Sequence, residues 1–257
     1  MELNIPNFNK VRNELLSDPV SVKAMDMYIE FANTKHKVIV TREELVDKIM
    51  LPIIAHESGL TFDPTIKQRP KKPGQNPPGR GLFQYEQDNI SYKQGEHGSA
   101  TSALVRASTV GSESMKKWAN KQIDQGNSDF SKYSIGQQGA LFIYDNWGKK
   151  DTKMHLVAKD VHHIFDYWAT HHQTTVIRES NANYFKKRND FMGQFDSINH
   201  QLKLSKRMKQ NKQQTKDPFH QGQKRTLLTG DEVINNFSNR VRNVKRPPNK
   251  GNPGGLL

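Results

Sequence analysis

One glutamate, Glu57, combines the residue type and the position that acid–base chemistry needs. It ends a series of residues that recur at four-residue steps: Leu45, Ile49, Ile53 and Glu57. This spacing predicts a helix that carries the carboxylate on its apolar face. Loss of hydration on such a face disfavours the charged form and raises the pKa, as a general acid near neutral pH requires. The alternative is a helix-terminal glutamate that reaches solvent past Gly59.

A second segment downstream could form a cleft wall opposite this acid. It is flanked by glycine and combines apolar side chains with one amide: Gly81, Leu82, Phe83, Gln84 and Tyr85. A conventional retaining glycosidase places a second carboxylate about 5–5.5 Å from the first. Asp63 and Glu86 are the nearby candidates, and no spacing argument brings either of them to Glu57. The residues therefore favour chemistry that a single carboxylate performs.

Helical patterns dominate the first 198 residues and predict a mainly α-helical domain. Thr41 with Glu44 has the spacing of a capping box at the start of the helix that carries the acid. Pro52 lies inside this helix, where it removes one backbone hydrogen bond and predicts a bend near Lys48. The bend would redirect the last helical turn, which ends at Glu57.

Two later helices are predicted to pack around this one. Ser134 and Gln137 have capping-box spacing, and the helix that follows is apolar on most sides, which favours a central position. The stretch from Met154 to His172 is amphipathic and rich in histidine. It contains no H-E-x-x-H pattern and no clear third ligand, so we expect no metal site and no cofactor. A last packing helix or turn, anchored by phenylalanines, is expected before residue 198.

The end of the chain differs in character from the rest. Residues 200–257 contain 13 Lys and Arg against 3 Asp and Glu, so +10 of the total net charge of +13 lies there. This segment is rich in Gln, Pro and Gly, and such a composition cannot bury enough apolar area to offset chain entropy. We predict a basic, largely disordered and flexible tail over residues 199–257, with a short helix near residues 229–240 that could dock on a partner. A polycationic tail suits nucleic acid or other polyanions, and the alternative is a segment kept in solution by its charge.

Composition excludes several classes of function. The chain has 257 residues and no cysteine, which excludes disulfides, thiolate metal sites and a cysteine nucleophile. There is no run of about 18 apolar residues that would form a membrane span. The N-terminal sequence lacks the basic flank and apolar core of a signal peptide, so we expect another route if the protein acts outside the cytoplasm.

Three short motifs, in order along the chain, resemble the active-site signature of soluble lytic transglycosylases and goose-type lysozymes. They are H-E-S-G at Glu57, then F-D-P, then G-R-G-L-F-Q-Y ending at Tyr85. In that family a helix-ending Glu-Ser pair precedes an F-x-P element and a Gly-Leu-(Met/Phe)-Gln turn. The resemblance implies a lysozyme-like fold for residues 1–198. The segment between Glu57 and Gly81 is longer and more basic than the usual loop. Its cations, Lys67, Arg69, Lys71 and Lys72, would attract an anionic glycan, and the alternative is a solvated insertion.

The resemblance also implies roles for single residues. Glu57 matches the catalytic acid/base, and Ser58 matches the serine that helps to order the site. The substrate-binding turn corresponds to Gly81, Leu82, Phe83, Gln84 and Tyr85. The segment I-Y-D-N-W falls where the family has a later tyrosine motif, so Tyr144 is a candidate to hydrogen-bond near Glu57. A core tyrosine with a satisfied hydroxyl is the alternative for Tyr144.

The function implied is cleavage of peptidoglycan glycan strands at the MurNAc-GlcNAc bond by a lytic transglycosylase with one glutamate. The absence of cysteines and of a signal peptide suggests a bacteriophage protein that degrades the cell wall for genome entry or for lysis. It would reside in the virion, or in the host cytoplasm before release to the periplasm and cell wall. The basic tail would bind virion proteins, packaged nucleic acid or the wall. A muralytic endopeptidase on the same fold and a nucleic-acid-binding virion protein without catalysis are the alternatives.

Overall fold

The protein is mainly helical, as the sequence predicts. The computed structural model describes residues 2–69, 79–86, 99–147, 154–171 and 184–214. The helices of these ranges are α1 Ile5–Ser17, α2 Pro19–His36, α3 Arg42–Leu45, α4 Leu51–Glu57, α5 Ser99–Val110, α6 Glu113–Asp124, α7 Ile135–Trp147, α8 Met154–Lys159, α9 Ile164–His171 and α10 Tyr184–Gln214. Short 3-10 turns at Phe130–Lys132 and Val161–His163 precede α7 and α9. No helix within these ranges is both long and apolar enough to cross a bilayer.

Side-chain caps fix the starts of the helices that matter for the site. The Thr41 hydroxyl accepts from the Glu44 N–H at 3.1 Å, and the Glu44 carboxylate accepts from the Thr41 N–H at 3.0 Å. Ser134 and Gln137 exchange the same pair of bonds at 3.1 and 2.9 Å before α7. Both predicted capping boxes are therefore confirmed, and each satisfies two backbone donors that a helix start would leave free.

A π-helical turn, Val46–Met50, joins α3 to α4 directly before Pro52. Its wider turn lets the Leu51 N–H donate to the carbonyl of Val46, five residues back. Pro52 has no N–H to continue the ordinary ladder, so a local change of helical geometry is expected at this point. The irregularity that the sequence predicts near Lys48 is thus a π turn. It sets the rotation of α4 and hence the direction of the side chains on its last turn.

Helix α7 lies at the centre of the core. All its residues from Ile135 to Asn146 except Gln137 are buried. Gly139 permits close approach to α1, because a methyl group added there would lie 2.4 Å from the Leu15 Cδ2 atom. Such contact between backbone and side chain explains why an otherwise helix-weakening glycine occurs in the middle of a buried helix.

A two-stranded antiparallel ribbon contains the second predicted segment of the site. Strand β1, Gly79–Arg80, pairs with β2, Tyr85–Glu86, with Gly79 opposite Glu86 and Arg80 opposite Tyr85. The connecting turn uses two positive φ angles, 73° at Gly81 and 50° at Gln84. This turn lies against the start of α7.

The end of the helical region differs from the prediction. Helix α10 continues through the expected boundary at residue 198 to Gln214, and both Gln201 and Leu202 are buried. The chain divides into two compact units, Met1–Ser205 and Lys206–Leu257. Residues 199–214 are therefore helical rather than tail-like, because the apolar positions that begin with Phe191 and Ile198 extend to Leu202. Residues 215–257, with the docking helix expected near 229–240, lie outside the described residues.

Candidate active site around Glu57

Glu57 is the last residue of α4, and the chain leaves the helix there through a Schellman motif. The Leu60 N–H donates to the Ala55 carbonyl at 2.7 Å, and the Gly59 N–H donates to the His56 carbonyl at 3.3 Å. Gly59 has φ 60°, the left-handed conformation that this motif uses after a helix. The motif fixes where the helix stops and leaves the Glu57 side chain at its end.

The loop after Glu57 is strained and tightly held. Leu60 and Phe62 also have positive φ, 68° and 52°, although neither is a glycine. Such angles cost about 1–3 kcal/mol each and persist only where neighbouring contacts impose them. Here α1 provides those contacts, since the Asn4 N–H donates to the Leu60 carbonyl at 3.1 Å and the Phe8 ring packs edge-on against Phe62 at 5.3 Å. Strain of this kind is common at functional sites.

Ser58 orders this loop through both its hydroxyl and its carbonyl. The hydroxyl accepts from the Phe62 N–H at 3.1 Å, and the carbonyl accepts from the Thr61 hydroxyl at 2.8 Å. Ser58 is 2% exposed. In this conformation the side chain therefore supports the loop from within, and it is not on a surface that a substrate could contact.

The Glu57 carboxylate is desolvated and hydrogen-bonded to an indole. The Trp168 Nε1–H of α9 donates to Glu57 Oε1 at 2.6 Å. Burial raises the pKa of Glu57 to about 7, while the Trp168 hydrogen bond and the Lys187 ammonium act in the opposite direction. Part of the residue remains accessible to solvent. Glu57 is thus a carboxyl group that can both donate and accept a proton near neutral pH.

Rings from α4 and α10 pack around Trp168, the hydrogen-bond partner of the acid. The His56 ring packs edge-on against Trp168 at 4.4 Å, and Phe191 packs against both rings at 5.3 and 5.4 Å. His56 Nδ1 lies 2.9 Å from Gln194 Oε1, which can only accept, so this nitrogen carries a proton. Burial lowers the pKa of His56, which favours the neutral ring. This packing keeps the Trp168 indole beside the buried Glu57 carboxyl group.

The sequence did not reveal Trp168 as the partner of Glu57, or the contacts that Phe191 and Gln194 make beside it. Trp168, Phe191 and Gln194 are more than 100 residues from the acid, on helices that the sequence assigns only to packing. One general signal existed, because a buried tryptophan usually finds an acceptor for its N–H. That rule says that Trp168 needs a partner, but it does not say which one.

Gln138 of α7 connects the turn at Gly81 to the loop that follows the acid. Its Oε1 accepts from the Leu82 N–H at 2.7 Å. Its Nε2 donates to the carbonyls of Pro64 and Tyr133 at 3.1 and 3.0 Å. A methyl group added to Gly81 would lie 2.4 Å from Gln138 Oε1, so only glycine fits at this point of the turn. One buried amide thus ties both parts of the motif to the central helix.

The side chains of the turn point mainly into the core, which corrects the prediction of a cleft wall. Leu82 is fully buried, and Phe83 and Tyr85 are each 4% exposed. Phe83 stacks on Phe142 at 4.4 Å, and the Tyr85 hydroxyl donates to Asp145 at 3.1 Å. These contacts anchor the turn instead of lining a surface.

Gln84 is the member of this turn whose side chain remains partly exposed. Its Nε2 donates to the Gly81 carbonyl at 2.7 Å. The same Nε2 donates to the Ile66 carbonyl at 3.4 Å, so the amide stabilises the tight turn. Among the five residues predicted to bind substrate here, Gln84 is therefore the side chain best placed to do so.

Tyr144 does not lie against the acid through its hydroxyl, which corrects its predicted role. The hydroxyl accepts from the Ser112 N–H at 3.3 Å and approaches the Met27 sulfur at 3.7 Å. The residue is fully buried, and its ring stacks near Trp147. The other interpretation of Tyr144, a core tyrosine with a satisfied hydroxyl, is the one that the structure shows.

Of the two candidates for a second carboxylate, Asp63 is engaged within its own loop. Asp63 Oδ1 accepts from both the N–H and the hydroxyl of Thr65 at 2.8 Å, a local turn motif. The Glu86 N–H donates to the Ser99 hydroxyl at 2.8 Å, which ties β2 to α5. Within the described residues, no group of three or more His, Asp or Glu side chains is arranged to hold a metal ion.

A groove of about 760 Å³ lies beside the loop that follows the acid. Its lining combines Leu60 with N-terminal residues and with one face of α10: Glu2, Leu3, Ile5, Asp196, Ser197, His200 and Gln201. The four residues from α10 follow Gln194, the partner of His56, by up to seven positions, which is about 10 Å along a helix. The groove thus offers carboxylate, hydroxyl, imidazole and amide groups next to a few apolar side chains.

Of the basic residues between the two halves of the motif, those that are described are exposed. Lys67 and Arg69 both face solvent. Residues 70–78, which include the other cations of this segment, lie outside the described residues.

Comparison of the chain with protein-family models, with curated proteins and with solved structures gives no match.

Proposed function

We propose that the protein is a muralytic enzyme of lysozyme-like type, a peptidoglycan lytic transglycosylase that uses Glu57 as its single acid and base. The observation that carries this proposal is the state of Glu57. Its carboxyl group lies at the end of a helix and is desolvated enough for burial to raise its pKa to about 7, while the residue as a whole remains partly exposed. The order of the H-E-S-G, F-D-P and G-L-F-Q motifs supports the same assignment.

The chemistry requires one proton to leave Glu57 and one to return. Neutral Glu57 donates its proton to the oxygen that bridges MurNAc and GlcNAc, and the bond from this oxygen to C1 of MurNAc breaks. The substrate's 2-acetamido group assists departure of GlcNAc, which leaves with a hydroxyl. The C6 hydroxyl of MurNAc then attacks C1 and returns its proton to the Glu57 carboxylate. A 1,6-anhydro product forms, and no water is consumed.

A pKa of about 7 suits this double role. A carboxylic acid with an ordinary pKa of 4.5 would be protonated in fewer than about one molecule in 100 at pH 7. Glu57 is instead protonated in roughly half of the molecules at that pH. Because the same residue must be an acid first and a base second, a pKa near the working pH serves both steps.

We place the rest of the glycan strand in the groove beside Leu60 and α10. Its polar groups suit sugar hydroxyls and acetamido groups, and its apolar patches suit the faces of the rings. Its volume lies within the usual range for ligand sites, about 300–1,000 Å³. The α10 residues of the groove, Asp196 to Gln201, span about 8 Å along the helix and would extend substrate contacts beyond the reacting bond.

Glu57→Gln tests the assignment with purified sacculi as substrate. We expect release of soluble fragments to fall by about 10²–10⁴-fold, because an amide cannot donate the proton. Glu113→Gln is the matched control, since it makes the same chemical change at an exposed position on α6. Equal lysis by wild type and Glu57→Gln would reject the proposal.

Mass spectrometry of the fragments separates the proposal from the endopeptidase alternative. Anhydromuramyl ends indicate cleavage of the glycan without water. Free amino groups from opened crosslinks would instead identify a peptidase on the same site. Reducing ends without anhydro sugars would identify ordinary hydrolysis.

A nucleic-acid-binding function is the second candidate, and exposed cations on α10 favour it. Lys203, Lys206 and Arg207 are all exposed near the C-terminal end of this helix. In a bacteriophage protein this region and the basic tail would contact packaged nucleic acid or other virion components. Retention of full-length protein on duplex DNA at low salt, and its steep loss between 50 and 200 mM salt, would support this role. Absence of binding at low salt would reject it.

A further inference from the structure

Glu57 and Trp168 form a hydrogen bond whose direction chemistry dictates. The Trp168 Nε1 atom lies 2.6 Å from Glu57 Oε1, and Trp168 is 1% exposed. An indole nitrogen can donate a hydrogen bond but cannot accept one. Glu57 Oε1 must therefore be the acceptor in both protonation states of the carboxyl group for as long as the contact is kept.

We propose that Trp168 is a positioning residue that holds Glu57 by Oε1, so that the transferable proton is always carried on Oε2. The catalytic role of this arrangement rests on the proposed function. The hydrogen bond and the choice of oxygen are properties of the protein itself. Trp168 thereby determines which oxygen of the acid faces the bond to be broken.

The surroundings of Trp168 keep the indole in this orientation. His56 packs against it from α4, Phe165 from α9 and Phe191 from α10, with ring centroids 4.4, 5.5 and 5.4 Å away. The Gln194 amide holds the His56 ring in turn at 2.9 Å. An indole enclosed by three rings cannot turn its N–H away without moving helices.

The proton transfer follows from this arrangement. In the neutral acid, Oε2 carries the hydrogen and Oε1 is the carbonyl oxygen that accepts from Trp168. When the Oε2–H bond breaks and the proton passes to the substrate oxygen, negative charge develops on the carboxylate. The Trp168 N–H is already directed at this group and stabilises the charge as it forms. The return of a proton to Oε2 restores the starting state.

Other ionisable groups surround the pair and must be separated from it in a test. His56 precedes Glu57 on α4, and Lys187 and Asp190 of α10 act electrostatically on this part of the structure. Of these, His56 contacts Trp168 directly. A pH effect on the indole could therefore arise from His56 as well as from Glu57, and the variants must distinguish them.

The indole N–H signal of Trp168 reports the bond directly. The chain has three tryptophans, so the indole region of a ¹H–¹⁵N spectrum of full-length protein contains few signals, and Trp168→Phe assigns one of them. We expect this signal to shift with pH around a midpoint near 7 in the wild type and to lose that transition in Glu57→Gln. A signal that is unchanged between pH 5 and 9, or a transition that persists in Glu57→Gln, would overturn the proposal.

Trp168→Phe tests the consequence for the acid, with Trp118→Phe on α6 as the matched control. Loss of the donor removes stabilisation of the carboxylate, so the Glu57 pKa, followed by ¹³C carboxyl NMR, should rise by about one pH unit or more. The pH at which sacculus lysis declines on the alkaline side of its pH profile should rise by the same amount. Trp118→Phe should change neither this pH nor the Glu57 pKa. An unchanged Glu57 pKa in a folded Trp168→Phe variant refutes the proposal. If Trp168→Phe does not fold, Trp118→Phe and Trp147→Phe assign the other two indole signals, and the wild-type and Glu57→Gln spectra then decide.

These readouts separate the proposal from the proposed function. The NMR transitions test how Trp168 holds Glu57 whether or not the protein degrades cell walls. Equal lysis by wild type and Glu57→Gln would reject the enzymatic role of Glu57 and leave the hydrogen bond intact. Normal loss of lysis in Glu57→Gln with a pH-independent Trp168 signal would reject only the positioning role.

Discussion

Because Glu57 is desolvated, its contribution to the free energy of unfolding should decrease as the pH rises. Glu57→Gln should remove this pH dependence. The pKa of Glu57 is raised from 4.5 to about 7 in the folded protein, and the unfolded chain returns it to its ordinary value. The folded state therefore binds this proton more tightly than the unfolded state. Its contribution to stability is complete below pH 4.5 and is lost progressively as the pH rises to about 7.

The size of the effect follows from the two pKa values. At about 1.4 kcal/mol per pH unit, the interval from 4.5 to about 7 corresponds to about 3 kcal/mol of unfolding free energy. An amide at this position has no proton to lose. Glu57→Gln should therefore gain about 3 kcal/mol relative to wild type between pH 4.5 and pH 8, equivalent to about 6–12 °C in Tm.

Urea denaturation of both proteins at several pH values between 4.5 and 8.5 measures this difference. Groups that titrate alike in both proteins cancel when the two free energies are subtracted. Glu113→Gln is the control with the opposite sign, because its ion pair with Lys116 lowers the pKa of Glu113. The free energy of unfolding of Glu113→Gln should therefore not increase relative to that of the wild type as the pH rises. A Glu57→Gln difference that stays constant within about 0.5 kcal/mol would refute a desolvated Glu57.

Two further predictions concern the turn and the groove. Gly81→Ala should lower the free energy of unfolding, measured by urea denaturation, by about 3 kcal/mol or more, because the new methyl group meets Gln138. Gly126→Ala is the control, since Gly126 has a similar positive φ but nothing lies within 4 Å of an added methyl group. That variant should lose only about 1–2 kcal/mol. Equal costs would show that the contact with Gln138 is unimportant. Ser197→Trp should fill the groove and raise KM for soluble glycan strands about tenfold with little change in kcat, whereas Ser114→Trp on α6 should leave both unchanged. An unaltered KM in Ser197→Trp would remove the groove from the substrate site.

Local sequence signals predicted the parts of the fold that depend on neighbours in the chain. The capping boxes at Thr41 and Ser134 are confirmed because each needs only two residues three positions apart. A π-helical turn precedes Pro52, whose missing N–H disrupts the regular helix, and the predicted bend near Lys48 stays a prediction. The helix carrying Glu57 on a desolvated face also follows from periodicity alone.

The remaining features depend on contacts between distant segments. Periodicity places Tyr144 on a buried helix but does not decide which neighbour its hydroxyl meets, and the structure gives it Ser112. The combination of apolar side chains with one amide in G-L-F-Q-Y suggests a cleft wall, whereas in the structure the large side chains of this turn are buried and Gly81 and Gln84 have positive φ. Composition predicts a boundary at residue 198, because it does not show that Leu202 packs onto the core.

The Gln138 amide bonds the Leu82 N–H and the Pro64 carbonyl, and so holds together the chain on both sides of the segment that joins them. Just before that segment, the Ile66 carbonyl accepts from the Gly81 N–H at 2.9 Å, and the Gln68 N–H donates to the Gly79 carbonyl at 2.9 Å. Both ends of residues 69–78 are therefore fixed by bonds that do not involve that segment. Lengthening a segment between two fixed points costs little free energy, about 0.6 kcal/mol for each doubling. Residues can accordingly be inserted, exchanged or recharged between Arg69 and Gly79 while Glu57 keeps its surroundings.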